Sequence, residues 1–402
     1  MNILFLTLVE MDDFKERGLF EDLLRKFKKE GHNLTVVTSK ERRLGINTNV
    51  KEVDGITLLQ VKTLNIQKTN LIEKGIGIIA IEYQFLKAIK KYFRTIKFDL
   101  ILYVTPPVTF FNVIKYLKHR DKAFTYLLLK DIFPQNAVDL EFIKKGSWIY
   151  KYFRKKEKKL YAISDCIGCM SPANQEYLLK NNPELSSNKV EVNPNVIELV
   201  ERSDISIEER NNIRIKYGLP LDPKILIYGG NLGKPQGIDF LLETISATEN
   251  KDCFFLIVGS GTEASRIQNW FDYHKPKNAK FIEKLPKSEF DTLLATCDIG
   301  LLFLDKRFTI PNFPSRFLSY LEMKLPVLAA TDEATDIGNI IEEHQCGYKV
   351  FSGNQTEMQA KINLILKQDL KQMGENGYQL FKNDYTVDIS YDKIMKQYDN
   401  RL

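Results

Sequence analysis

The chain has 402 residues, 44% of them hydrophobic and 27% charged, which is too long for one ordinary core and enough to fill two. No run of eighteen uncharged apolar residues occurs, and the start of the chain passes straight into a strand-like segment with no charged leader and cleavage site, so neither a secreted nor a membrane-spanning protein is expected. The net charge of +6 is uneven: residues 1–200 hold 33 Lys and Arg against 23 Asp and Glu, a balance of +10, and the remainder carries −4, so the first half is expected to face something anionic.

Short apolar runs at residues 3–8 and 34–38 bracket an amphipathic stretch at 14–30, a βαβ opening. Similar runs recur at 99–104, 123–129 and 165–170, nearly continuous in Ile, Leu, Val, Phe and Tyr, as parallel strands buried on both faces require. Five cysteines, an odd count, fit a reducing cytoplasm. Cys166 and Cys169 form a C-x-x-C within one of the strand-like runs, where core packing is the plain reading and a metal pair the alternative, although no second pair or nearby histidine completes a zinc set.

Around residues 193–222 the rhythm breaks into Asn-Pro-Asn, a charged run at 198–210 and Gly218-Leu-Pro, which places a domain boundary near residue 200. A second series of strands is expected at 224–228, 254–258, 279–282, 299–304 and 327–330. Two doubly wound sheets follow, each binding ligands beyond the carboxyl ends of its strands, with a shared cleft between them. The expected domains are thus 1–200 and 201–380, with 381–402 as a charged helix packing back toward the first.

Chemistry is written most densely after the first strand of the second series. Ile227-Tyr-Gly-Gly-Asn-Leu-Gly-Lys-Pro-Gln-Gly-Ile is a buried strand, a glycine-rich loop and the start of a helix, a phosphate-binding layout in which Gly230, Asn231 and Gly233 allow close approach. The N–H groups near Gln236 are expected to point at an anion, and Lys234 adds a charge, unless it is merely a solvated loop lysine. The next strand ends in Val258-Gly-Ser-Gly, bringing in Gly259 and Gly261. Phe313-Pro-Ser-Arg-Phe-Leu-Ser-Tyr begins a helix whose tip, with Pro314 and Ser315, is a second expected anion seat.

These pieces, together with Cys297-Asp-Ile-Gly-Leu, Tyr320 and Leu325-Pro-Val, taken in order, resemble the family 4 glycosyltransferases of GT-B fold, particularly the branch that builds capsule and O-antigen polysaccharides. In the first half, residues 31–38 look like that family's second strand, Asp131-Ile-Phe-Pro resembles its acceptor-side loop, and Met170-Ser-Pro leads into its donor-facing helix. The resemblance implies two Rossmann-like α/β domains facing across a cleft. It also implies retaining transfer of a hexosyl or N-acetylhexosaminyl group from a nucleoside diphosphate sugar, UDP-linked, with no cofactor and no metal; the lack of any Asp-x-Asp agrees. The chain departs from the family in two places. Asn231 and Gln236 stand where many members carry an Arg and a Lys, and Pro311 and Ser319 where a glutamate pair is usual, so Ser319 falls at a donor-contact position with altered chemistry.

Arg316 is the nearest cation to replace the missing pair, with a salt bridge as its structural alternative. Asp131, at the end of an apolar strand, is the candidate to accept or orient the acceptor hydroxyl's proton, or else it caps the turn at Ile132; Glu10 and Asp12 are lesser candidates. The four histidines have no partner that suggests catalysis. Aromatic and basic residues interleave at helical spacing between Tyr83 and Phe98 and between Trp148 and Tyr161, as helices lying on an anionic membrane do, and as ordinary sheet-covering helices also do. A polyprenyl-diphosphate-linked or oligosaccharide acceptor, reached at the inner face of the cell membrane, is the expectation, and no nucleic-acid signature is present. A sugar-nucleotide epimerase and a non-catalytic assembly scaffold are the competing readings.

Overall fold

In the computed structural model the chain forms two α/β units, Met1–Glu198 with Val387–Leu402, and Leu199–Thr386. Residues 1–66, 71–201 and 205–401 are described; the charged run at 198–210 lies partly outside them. No helix among the described residues is long and apolar enough to cross a membrane.

The first unit is built on an eight-stranded sheet: β1 (Asn2–Leu6), β2 (Asn33–Glu41), β3 (Asn49–Val53), β4 (Ile56–Thr63), β5 (Leu100–Val104), β6 (Phe124–Leu129), β7 (Cys166–Cys169) and β8 (Val190–Val192). Their spatial order is β3-β4-β2-β1-β5-β6-β7-β8, and every pair is parallel except β3 with β4. Strands β5, β6 and β7 are buried at every residue, which is why they read as unbroken apolar runs. Cys166 and Cys169 belong to that core. Strands β3, β4 and β8 escape the apolar pattern because β3 is a half-exposed edge, β4 mixes in Gln60 and Lys62, and β8 has three residues.

The second unit carries a six-stranded, wholly parallel sheet: β9 (Lys224–Asn231), β10 (Cys253–Ser260), β11 (Ala279–Glu283), β12 (Ile299–Phe303), β13 (Val327–Thr331) and β14 (Gly347–Phe351), in the order β11-β10-β9-β12-β13-β14. Connections run outward from β9 to β11, then return to β12 on the other side, so the winding reverses between β9 and β12. Those two strands pair only at Leu226 with Ile299 and Ile227 with Gly300, and beyond that a crevice opens at their carboxyl ends.

The tail is two helices rather than one. Leu370–Asp384 covers the second unit, and Val387–Asp399 joins the first, so the chain changes unit at Val387 and not at residue 381. The last helix docks on helix Leu19–Lys29, with the Phe27 and Tyr391 rings 4.9 Å apart and Lys26 paired with Asp388 at 2.6 Å.

Candidate active site

The crevice between β9 and β12 is held open by Tyr320. Its ring fills the space above Gly300, where a Cβ would lie 2.5 Å from the ring. Its hydroxyl accepts the Gly229 N–H at 3.1 Å and lies 3.0 and 3.2 Å from the Leu301 and Ile227 carbonyls. One buried side chain therefore satisfies backbone groups that the diverging strands leave unpaired.

Over the same end sits Arg316. Its guanidinium carbon is 4.2 Å from the centre of the buried Tyr228 ring, and Nη2 donates to Gln236 Oε1 at 2.7 Å and to the Asn231 carbonyl at 3.3 Å. The Tyr228 hydroxyl donates to the Asn231 carbonyl at 3.1 Å, tying the platform to the same loop. Arg316 Nη1 is buried without a hydrogen-bond partner among the described residues. A cation braced on three sides with one nitrogen unspent is arranged to receive an anion.

The loop departs from the expected layout in one respect. Lys234–Gln236 is a single 3-10 turn, Gly237 takes a left-handed φ of +56°, and the helix starts only at Ile238. The Gln236 N–H is spent on the Gly233 carbonyl at 3.0 Å, so this residue acts through its side-chain oxygen instead. Lys234 is exposed on the turn. The second expected anion seat is corrected too. Helix Arg316–Glu322 has seven residues, Ser315 makes no side-chain cap bond, and the Phe317 and Leu318 N–H groups are taken by the Pro314 and Ser315 carbonyls. The Arg316 side chain, not the helix tip, carries the charge here, while Ser319 lies mid-helix.

Gly259 and Gly261 shape this loop by contact. A Cβ on Gly259 would lie 1.9 Å from the Gly230 carbonyl oxygen, and one on Gly261 2.3 Å from that of Leu232. The Leu232 N–H donates to Ser260 and its carbonyl accepts from Glu263, so the two glycine turns are laced together. Gly230, at φ +112°, stands within 4.0 Å of the Arg316 guanidinium through its would-be Cβ.

On the first unit, Asp131 follows β6 at the carboxyl end of the sheet. Asn136 Nδ2 donates to its Oδ2 at 2.5 Å, and burial raises its carboxyl to about 6 against the help of the Ile132 N–H and Asn136. Its bond from the Ile132 N–H is the turn-capping contact expected as the alternative, and no helix begins there, since the next one, Gln135–Asp139, starts after Pro134. Its neighbour Lys130 is a residue the sequence reading passed over. Burial lowers this amine to about 7, and it donates only to the Pro194 carbonyl at 3.2 Å, with no carboxylate at ion-pair distance among the described residues. A lysine directly after the run Tyr126-Leu-Leu-Leu was the available signal. The Thr105 hydroxyl pins both residues, accepting the Lys130 N–H at 3.3 Å and donating to the Asp131 carbonyl at 3.1 Å. Asp12 is spent structurally on Lys40 at 2.8 Å and Gln60 at 2.8 Å.

The basic segments are also redistributed. Helix Leu71–Tyr92 begins before the stretch expected from Tyr83 to Phe98 and ends inside it at Tyr92, and Phe85, Ile89, Phe93 and Phe98 are core residues. In helix Trp148–Ile163, Arg154, Lys156 and Lys158 pair with Glu157, Glu82 and Glu184.

Residues 209–380, most of the second unit, match the family model of the group 1 glycosyl transferases. The fold and this match define the class: the chain is a glycosyltransferase of GT-B fold. It is similar to the probable glycosyltransferase WbjE of Pseudomonas aeruginosa, 25% identical over 81% of this chain and 80% of that protein. It is also similar to WcaI of Escherichia coli K12, assigned to colanic acid biosynthesis as a glycosyl transferase, 24% identical over 37% of each. Among solved structures, HepE of Anabaena in complex with UDP-glucose superposes with a TM-score of 0.72 over the full length of both chains at 14% identity. The chain thus stands with the glycosyltransferases of bacterial polysaccharide biosynthesis.

Proposed function

We propose that the chain moves a hexosyl or N-acetylhexosaminyl group from a UDP-linked donor to a lipid-linked or oligosaccharide acceptor, with retention at the anomeric carbon, during capsule or O-antigen synthesis on the inner face of the cell membrane. The observation that carries this reading is Arg316, braced by Tyr228 and Gln236 at the winding reversal with Nη1 unpaired. That HepE was solved with UDP-glucose favours uridine as the base.

In this reading the bond between the sugar's anomeric carbon and the diphosphate oxygen breaks, and its electron pair leaves with the diphosphate. Arg316 stabilises the charge that develops there, so no divalent metal is required. The acceptor hydroxyl oxygen bonds to the anomeric carbon on the face the diphosphate leaves. Asp131, ionised above about pH 6, takes the hydroxyl proton. Gly230, Asn231 and Gly233, shaped by Gly259 and Gly261, admit the diphosphate beside Arg316, with Lys234, Pro314, Ser315 and Ser319 around it.

The test is incubation of the purified protein with a panel of UDP-sugars and a polyprenyl-diphosphate sugar, with and without EDTA. Acceptor-dependent UDP release, insensitive to EDTA, with the donor's anomeric configuration kept in the product, is expected. Absence of UDP release and of nucleotide binding by calorimetry would establish the scaffold reading, and a new nucleotide sugar formed without acceptor the epimerase one.

A further inference from the structure

Three helices cover one face of the first sheet, Leu71–Tyr92, Phe111–Asp121 and Trp148–Ile163, because β4 to β5, β5 to β6 and β6 to β7 all cross in the same direction. Each runs antiparallel to the strands, so the three are parallel to one another and start at the carboxyl end of the sheet. Glu82 fixes their register. Its Oε1 accepts the Asn112 N–H at 2.6 Å, at the first turn of the middle helix, and its Oε2 pairs with Lys156 at 2.7 Å. The outer helices begin eleven residues before Glu82 and eight before Lys156. They overhang the middle helix by roughly 16 and 12 Å, at about 1.5 Å per residue.

The overhang is apolar where a soluble surface would be polar. Ile76 and Ile79 lie in it at i and i+3 on one exposed face, which Tyr83, at i+7 and 67% exposed, continues just past Glu82. Trp148, 75% exposed, stands at the tip of the other helix, and Phe142 is exposed on the loop leading to it. On the same loop and the first two turns of the Trp148 helix, Lys144, Lys145, Lys151 and Lys155 are exposed with no carboxylate at ion-pair distance among the described residues, unlike Arg154, Lys156 and Lys158. Exposed apolar and indole side chains with unpaired lysines beside Trp148 in the chain complement a bilayer surface, with acyl chains below and phosphates above.

We infer that this overhang is a lipid-docking face, on which Ile76, Ile79, Tyr83 and Trp148 enter the headgroup boundary of an anionic bilayer while the four lysines meet its phosphates. This rests on the membrane reading above and narrows it to one end of the unit. The loop from residue 131 to 147 runs from the end of β6 to Trp148, so Asp131 shares that end. Docking there brings Asp131 to the depth at which a lipid-linked sugar presents its hydroxyl.

The experiment is vesicle sedimentation of the full chain with phosphatidylcholine alone and with added phosphatidylglycerol, together with indole emission in a Trp270→Phe background that leaves Trp148 as the sole tryptophan. The expected result is binding to the anionic vesicles with a blue shift of Trp148. Ile79→Glu with Trp148→Glu should weaken binding at least about tenfold, and Lys144, Lys145, Lys151 and Lys155 changed together to Gln should erase the preference for anionic lipid, roughly fivefold per cation. UDP affinity should be unchanged in every variant, which reports intact folding. Binding by the native chain that survives the Glu double substitution would place the contact elsewhere and overturn this face while leaving the membrane reading standing. No vesicle binding by the native chain would remove both, and self-association abolished by Trp148→Glu would make the face a protein interface.

Discussion

The Arg316 guanidinium lies over the Tyr228 ring at 4.2 Å while its Nη2 is held by Gln236, so Arg316 and two residues at least 80 positions before it build one cation seat. Gln236 brings no charge of its own to the loop; its amide oxygen positions the cation of Arg316 instead. Arg316→Ala should lower kcat by about 10²–10³, the usual result of losing one donor to a developing oxyanion. Arg316→Lys should recover little, because an ammonium lacks the planar fork that stacks and bonds sideways at once. Tyr228→Phe keeps the stack and should cost less than about tenfold, whereas Tyr228→Leu loses it, a contribution of roughly 0.5–2 kcal/mol. Steady-state kinetics with UDP calorimetry on the four variants checks this; an Arg316→Ala enzyme with native kcat would contradict it.

Gly259 sits so close to the Gly230 carbonyl that a methyl group cannot enter without moving one of the two loops. Gly259→Ala should therefore destabilise the second unit by about 1–3 kcal/mol and weaken UDP binding together, since the displaced loop is the one beneath Arg316. Thermal melts and calorimetry on the same sample decide the matter, and a stable variant with native UDP affinity would contradict a rigid contact between the two loops.

Most strands were legible because they are buried on both faces, and the glycine loops because their spacing follows the strand ends. Arg316 was legible from its place before Phe317, but its bracing was not, since that depends on Tyr228 and Gln236 meeting across a crevice that only the tertiary fold creates. Lys130 was hidden for the opposite reason. One lysine after an apolar run reads as a strand end reaching water, and only the packing of β7 and Pro194 around it removes that water. In the lysine-rich segment from Trp148 to Tyr161, half of the cations are consumed by Glu82, Glu157 and Glu184, partners with no sequence periodicity to announce them.

Asp131 and Lys130 should give opposite pH signatures in stability. Asp131 has a carboxyl raised from 3.8 to about 6, so the folded chain holds its proton more tightly than the unfolded one, and stability is lost as pH climbs from about 4 to 6. Lys130, lowered from 10.5 to about 7, binds its proton more weakly when folded, so stability is gained as pH climbs from about 7 to 10. Asp131→Asn should flatten the acid slope, and Lys130→Met should raise stability at pH 7 by a margin that shrinks toward pH 10. Melting curves across pH 4–10 measure both. In the transferase assay, Asp131→Asn should remove the rise in rate through about pH 6 that an ionising base produces.

Asp298, inside the motif Cys297-Asp-Ile-Gly-Leu, has a role far from the chemistry. It precedes β12 at the amino end of the second sheet, opposite the crevice, where its carboxylate accepts from Arg210 at 2.6 Å, Arg214 at 2.7 Å and the Ile225 N–H at 2.8 Å. Arg214 is almost fully buried and spreads its other donors over the Thr296, Leu221 and Pro223 carbonyls, so among the described residues Asp298 is its one counter-charge within 4 Å. Replacing Asp298 with Ala leaves that guanidinium in the interior without an anion, which should cost about 3–5 kcal/mol. Changing both partners, Arg214→Met with Asp298→Ala, should recover part of the loss, because the desolvated charge goes with its partner. Denaturant unfolding of the single and double variants tests the coupling. UDP affinity of whatever remains folded should equal the native value, and a drop in that affinity without a change in unfolding midpoint would move Asp298 from the frame of the sheet into the site itself.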